Sequence, residues 1–199
     1  MSIDRRFPNR RRFLQFAGTV LPAGAALTTR AEAQQAQIPT ASDAEGPFYV
    51  ANVPVVENLN RFGKPGEPMR IVGQVMNASA PDQPVANARL ELWQTDGTGQ
   101  YYPEANGDYS DYDDAEVDMR GTLFTDETGR FEVMSLFPAE YEPRPSHIHY
   151  WIRAEGFRSL VTQHYLDTSP GNRPHRTAAV DRSGTHAVLF APTIYLEAS

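Results

Sequence analysis

The stretch RGTLFTDETGRFEVMSL, residues 120–136, sets two short runs rich in β-branched and aromatic residues on either side of the turn signal Asp126-Glu127-Thr128-Gly129. Runs of this length and composition, broken by a turn ending in glycine, are strands. Thr128-Gly129 is expected to close a hairpin in which Leu123 and Phe124 lie near Phe131 and Val133. Working outward, similar runs recur: RIVGQVM at 70–76, ARLELWQ at 88–94, HIHYWIR at 147–153, SLVTQHY at 159–165 and HAVLFAP at 186–192. Turn signals such as DGTG and SPGN separate them, and helical periodicity is nearly absent. Many short strands with glycine and proline between them predict an all-β chain, an antiparallel β-sandwich or barrel. Upstream, Pro39, Pro47, Pro54, Pro65 and Pro68 deny any long helix between Ile38 and Pro68, so this stretch is expected to wrap the domain as an extended arm.

The chain has 199 residues, 40% of them hydrophobic and 11% aromatic, enough for one domain with a core of its own. It has no cysteine, which excludes thiol nucleophiles, thiolate metal sites and disulfide scaffolds together. Any metal must be held by oxygen or nitrogen.

The first 33 residues differ from the rest. Arg5, Arg6, Arg10, Arg11 and Arg12 precede an uncharged run, Phe13 to Thr29, and Ala31-Glu32-Ala33 offers a small-residue cleavage site. These are the parts of an export signal. The run is too short and too rich in Gly, Ala and Thr for a membrane span. Arg10-Arg11-Arg12-Phe13-Leu14 resembles a twin-arginine motif, which implies the twin-arginine export machinery as a partner and a periplasmic or extracellular destination. The expected divisions are a signal at 1–33, an extended arm at 34–69 and a catalytic sandwich at 70–199. Without the signal, 12 basic residues face 23 acidic ones, a net charge of about minus 11 against minus 7 for the whole chain. That balance argues against nucleic acid and against an anionic membrane surface. Seven acids between Glu104 and Asp118 lack calcium-loop spacing and read as a solvated loop.

His147-Ile148-His149 carries the clearest chemical signal. On a strand, residues i and i+2 share a face, so both imidazoles can converge on one ion while Ile148 enters the opposite layer. His164, His175 and His186 lack such a partner and read as structural or surface residues. Without cysteine, further ligands would be carboxylates or phenolates. Glu155 would complete a His/His/Glu set of the cupin kind, although Gly156 at once ends the strand. The competing donors are Tyr101, Tyr102, Tyr109, Tyr112 and Tyr141.

Five ordered blocks then make the sequence recognisable: EGPFY at 45–49, ARLELWQTDGTGQY at 88–101, RGTLFTDETGRF at 120–131, FPAEYEPRPSHIH at 137–149 and LVTQHY at 160–165. The chain resembles the intradiol ring-cleaving dioxygenases, the family of protocatechuate and catechol dioxygenases. The resemblance implies an antiparallel β-sandwich of that type. It also implies one non-haem Fe(III) held by Tyr101, Tyr141, His147 and His149, with Tyr102 a one-residue alternative to Tyr101 and Tyr109 a more distant one. O2 would be the co-substrate and a small aromatic diol the substrate, cleaved between its hydroxylated carbons to a muconate-type diacid. Tyr101, on a loop, takes the role of the displaced ligand that accepts a proton, and Tyr141 stays bound. Arg144 matches the arginine that lies against the bound ring, Gln163 a neighbouring glutamine, and Pro47 with Phe48 the substrate mouth.

Two departures stand out. No helical dimerisation region precedes the sandwich, which leaves the shorter protocatechuate-like plan and a homo-oligomer as its natural assembly. The stretch from Tyr141 to His147 is short, which implies an open pocket and a broad substrate range. A secreted β-sandwich binding module without catalysis is the remaining alternative.

Overall fold

The computed structural model describes residues 35–166 and 176–199. The export signal, His175 and the SPGN turn lie outside them.

The described strands, in chain order, are β1 (Val50–Ala51), β2 (Pro68–Asn77), β3 (Ala80–Pro84), β4 (Arg89–Trp93), β5 (Gly107–Asp108) and β6 (Arg120–Phe124). They continue with β7 (Arg130–Leu136), β8 (His147–Arg153), β9 (Leu160–Leu166), β10 (Thr177–Asp181), β11 (Ala187–Phe190) and β12 (Ile194–Leu196). Apart from β1 and β5, which pair with each other, they form one continuous curled sheet in the order β12-β2-β11-β10-β9-β8-β4-β6, with β3 and β7 also paired to β2. The expected sandwich is present: β6, β4, β8 and β9 make an antiparallel layer facing β7, β2, β11 and β10. Parallel pairs join β9 to β10 and β2 to both β11 and β12.

The core between the layers follows from alternation along each strand. Leu90, Leu92, Leu123, Ile148, Tyr150, Ile152 and Leu166 from one layer meet Met69, Ile71, Phe131, Val133 and Leu189 from the other, all buried. Each such aliphatic side chain contributes about 1.5–3 kcal/mol by leaving water.

The structure corrects the hairpin expectation. β6 and β7 do not pair with each other; β6 pairs β4 and β7 pairs β2, so the Asp126–Gly129 turn carries the chain from one layer to the other. Leu123 still meets Phe131 and Val133 in the core, but across the sandwich, and Phe124 is exposed. A tight turn with hairpin composition is equally able to arch between sheets, because its own hydrogen bonds, Asp126 N–H to the Arg130 oxygen and Gly129 N–H to the Asp126 oxygen, are local.

Residues 43–56 cross the outer face of the β6-β4-β8-β9 layer, while the chain before them bonds to β12 at Tyr195 and the chain after them to β7 at Met134. The segment bonds to the β9 edge through Asp43 N–H and the Val161 oxygen, and to the β6 edge through Val56 N–H and the Thr122 oxygen. It thereby covers the face opposite the core, where His147 and His149 project.

Candidate metal centre

Register brings one row of side chains across four strands on that outer face: Arg120 of β6 opposite Trp93 of β4, Trp93 opposite His149 of β8, and His149 opposite Gln163 of β9. His147 opposes Tyr165 one step along. All six are buried. Ile148 enters the core, as the alternation requires.

The two imidazoles converge. His147 Nε2 lies 2.9 Å from His149 Nε2, and the Tyr101 hydroxyl lies 3.4 Å from His147 Nε2. His147 Nδ1 faces the Pro145 carbonyl oxygen at 2.5 Å, an acceptor that keeps the proton on Nδ1 and leaves Nε2 a bare lone pair. Trp93 stacks on His149 with centroids 4.7 Å apart and planes 9° from parallel, which fixes the second ring. Burial, with His147, Arg144 and Arg120 nearby, holds His149 well below the usual imidazole range, so it is neutral at physiological pH.

Tyr101 and Tyr141 come from two loops stitched to each other. Beyond β4, Gln94 donates to the Leu136 carbonyl at 2.7 Å, Thr95 to the Ala139 carbonyl at 2.8 Å, and Ala139 N–H to the Asp96 carbonyl at 3.0 Å. Asp96 accepts from the N–H groups of Thr98 and Gln100, which curls the loop back. Gly99 sits there at φ +90°, and a Cβ on it would lie 2.7 Å from the Glu140 oxygen, so only glycine allows the two loops to touch. The Tyr101 and Tyr141 rings meet edge to face at 5.4 Å, and Tyr141 lies 5.9 Å from the His147 ring. Burial, reinforced by Tyr141, pushes the Tyr101 phenol far above its ordinary range, against the opposing pull of Arg120 and Arg144.

The two adjacent tyrosines point in different directions. Tyr102 turns away and donates to Asp96 at 2.9 Å under Lys64. Tyr109 donates to Asp114 in the acidic loop. Glu155 is exposed in the turn after β8, six residues from His149, about 20 Å away along an extended strand. The His/His/Glu arrangement is therefore not formed, and among the described residues no group of three His, Cys, Asp or Glu is placed to hold an ion.

Arg144 and Tyr141 close one tight turn, each N–H bonded to the other's carbonyl. The Arg144 guanidinium donates to Gln163 Oε1 at 2.5 Å rather than pairing with Glu140 or Glu142. The single proton of the Tyr165 hydroxyl is shared between Asp43 Oδ2 at 2.8 Å and Gln163 Oε1 at 2.9 Å, and Arg176 pairs with Asp43 at 2.5 Å. Burial tends to raise the Asp43 carboxyl, but the Ala44 N–H, Tyr165, Arg176 and Arg144 outweigh it and hold the group below its usual range. Phe48 packs on Tyr101 at 4.6 Å and Tyr141 at 6.2 Å, whereas Pro47 beside it is exposed. Gly46, at φ +81°, brings the backbone against His149.

Trp93, Arg120, Tyr165 and Asp43 escape a reading by motif. Each is an ordinary strand or loop residue until register places it beside the histidines. The available hint was Arg120, an arginine opening a strand otherwise bound for burial.

A family model described as Dioxygenase (Dioxygenase_C) matches residues 44–173. Catechol 1,2-dioxygenase 2 of Acinetobacter lwoffii is 30% identical over 147 residues, covering 63% of this chain and 50% of that protein. Hydroxyquinol 1,2-dioxygenase of Rhizobium sp. (strain MTP-10005) is 31% identical over 159 residues, covering 69% and 51%. The chain thus spans about half the length of these relatives. Among solved structures, the dioxygenase domain of a dioxygenase carbohydrate-binding protein fusion from Streptomyces sp. SirexAA-E matches with a TM-score of 0.67 at 26% identity, covering 81% of this chain and 100% of that one. The 3-chlorocatechol 1,2-dioxygenase of Rhodococcus opacus 1CP shares the fold, with a TM-score of 0.68 at 22% identity over 82% of this chain and 74% of its own. Since the match over residues 44–173 takes in more than half of the sequence and both loops that carry the paired tyrosines, the chain belongs to the Dioxygenase_C family.

Proposed function

We propose that the chain is a ferric intradiol dioxygenase that opens catechol-type rings with O2 between the two hydroxylated carbons, giving muconate-type diacids. The observation that carries this reading is the approach of His147 Nε2 to His149 Nε2 at 2.9 Å, with the Tyr101 hydroxyl beside them and no carboxylate among the donors. Two imidazole nitrogens so spaced subtend roughly a right angle at an ion about 2.1 Å from each. The hard, anionic character of two phenolates suits Fe(III), and neutral histidines add no charge. Tyr101, Tyr141, His147 and His149 would hold the ion.

Bound there, ferric iron would draw electron density from a diol and open its ring to O2. The rest falls to the chain. Tyr101 sits on a loop and would be the ligand that yields, its oxygen free to accept a diol proton, while Tyr141 would remain. Phe48 packs against both tyrosines, and Tyr101 is buried beside it. Arg144 has one guanidinium nitrogen tied to Gln163, and its buried Nε, without a protein partner, is free to meet negative charge on the substrate. Gln163 is a positioner: Oε1 accepts from Arg144 and Tyr165, and Nε2 donates to the Ala44 carbonyl.

The favoured substrate is a catechol or hydroxyquinol without a ring carboxylate. Catechol and hydroxyquinol are the diols named for the similar proteins of Acinetobacter lwoffii and Rhizobium sp., and among the described residues Arg176, beside Tyr165, is already paired with Asp43. Purified protein should contain about one iron per chain, absorb in the visible through phenolate-to-iron charge transfer, and consume O2 with catechol or hydroxyquinol. Colourless protein that stays iron-free after reconstitution would sink the reading, and faster turnover of protocatechuate would overturn the substrate assignment. Export by the twin-arginine route is part of the proposal, supported by Arg10-Arg11-Arg12-Phe13-Leu14. Changing Arg11 and Arg12 together to Lys should leave the protein in the cytoplasmic fraction.

A further inference from the structure

Arg120 is an arginine that the ligand set does not use. It is 1% exposed and has no ion-pair partner among the described residues. Its guanidinium is instead divided among three carbonyl oxygens: Nη1 donates to Phe48 at 2.5 Å, Nη2 to Pro103 at 3.0 Å and Nε to Asp118 at 3.3 Å. The nearest acid, Asp118, spends its oxygens on the N–H groups of Arg61, Phe62 and Met119. Asp118 attracts the guanidinium without pairing with it; burying a guanidinium so weakly countered is costly, and carbonyl dipoles repay only part of that cost. Such a cation is retained where an anion arrives.

The geometry identifies that anion. Phe48, whose carbonyl Arg120 holds, packs at a tilt against the Tyr101 ring; Pro103, whose carbonyl it also holds, lies two residues after Tyr101; and Arg120 is in register with Trp93, which stacks on His149. Resting on the ferric reading above, we propose that Arg120 is a positioning residue for Tyr101. It clamps the Tyr101 loop to the segment that covers the site and sets a buried positive charge beside that loop. Burial lowers the Arg120 guanidinium to about 10, which still leaves it cationic at neutral pH. Tyr141, held by its own turn with Arg144, is not clamped in this way.

The test compares iron-reconstituted wild type with Arg120→Gln, which removes the charge, and Arg120→Lys, which keeps a charge but shortens its reach and loses the fork. Removing a cation beside a phenolate raises the energy of its donor electrons, so the phenolate-to-iron band should move to longer wavelength. The shift should be large in the Gln protein and smaller in the Lys protein, with unchanged far-ultraviolet circular dichroism. Arg61→Gln, which loosens the acidic loop at Asp114 and Val117, should leave the band in place. If the Gln protein does not fold, a shift to longer wavelength in the Lys protein alone supports the proposal. An unmoved band in whichever variant folds overturns it, as would failure of both to fold, which would make Arg120 purely structural. A wild type without the band would defeat the ferric reading itself; a wild-type band that Arg120 variants leave in place defeats only the role of Arg120.

Discussion

Trp93 lies flat against His149, ring centroids 4.7 Å apart and planes within 9°, and its other neighbour is Tyr49 at 5.2 Å. The indole thus joins the covering segment to a residue of the proposed metal centre. Tyr49 in turn reaches Trp151 at 4.9 Å and donates to Glu91 at 2.8 Å.

Truncating Trp93 should therefore injure stability and the site together. Trp93→Ala should cost about 3–5 kcal/mol in urea unfolding, and iron should be lost to a chelator faster than from wild type. Trp93→Phe, which keeps a ring against the imidazole, should retain most of both. Equal iron retention in folded Trp93→Ala protein would show that the stack does not hold His149.

Direction of the side chain, not position in the sequence, separates Tyr101 from Tyr102. Tyr101→Phe should weaken or displace the visible absorption band and reduce iron content, while Tyr102→Phe and Glu155→Gln leave both at wild-type levels. Iron loss in Glu155→Gln would reinstate the carboxylate-ligated alternative.

His164 provides a prediction that needs no metal. It is fully buried on the core face beside Tyr150, its Nδ1 has no hydrogen-bond partner, and burial lowers its imidazole to about 3. In the unfolded chain the group titrates near 6.5. Between those values the unfolded state binds a proton that the native state refuses, so stability must fall as pH drops below about 6.5, by about 1.4 kcal/mol per pH unit for this residue. Urea unfolding of metal-free protein at pH 7 and pH 5 should show His164→Leu losing less stability than wild type. Identical losses would mean that His164 is charged, or solvated, in the native state.

The relay from Asp43 through Tyr165 and Gln163 to Arg144 lies beside the proposed ligands without touching the ion's place. Asp43→Asn weakens its first, charge-assisted link. It should lower kcat/KM by about tenfold, the worth of roughly 1.4 kcal/mol in one such hydrogen bond, with the visible band unchanged. A change of band with kcat/KM intact would place Asp43 among the groups that support the metal instead.

The sequence by itself determined the strands, the shared face of His147 and His149, and the exclusion of thiolate chemistry. These depend on period-two alternation and composition, which are local. It also carried Tyr101, Tyr141, Arg144 and Gln163 through the family blocks, with Tyr102 as a one-residue alternative to Tyr101. Only tertiary structure decided between them, because which side chain of an irregular loop faces inward depends on what the loop is stitched to, here Asp96 and the chain around Ala139. The Asp126–Gly129 turn shows the same limit. Its residues favour a reversal, but whether the chain returns beside β6 or crosses to β2 is set by which layer still has an edge to offer. Arg120 is the furthest case: opening a strand bound for burial is its one local mark, and its environment is assembled from Phe48, Pro103 and Asp118, which only the packed sandwich brings within reach of one guanidinium.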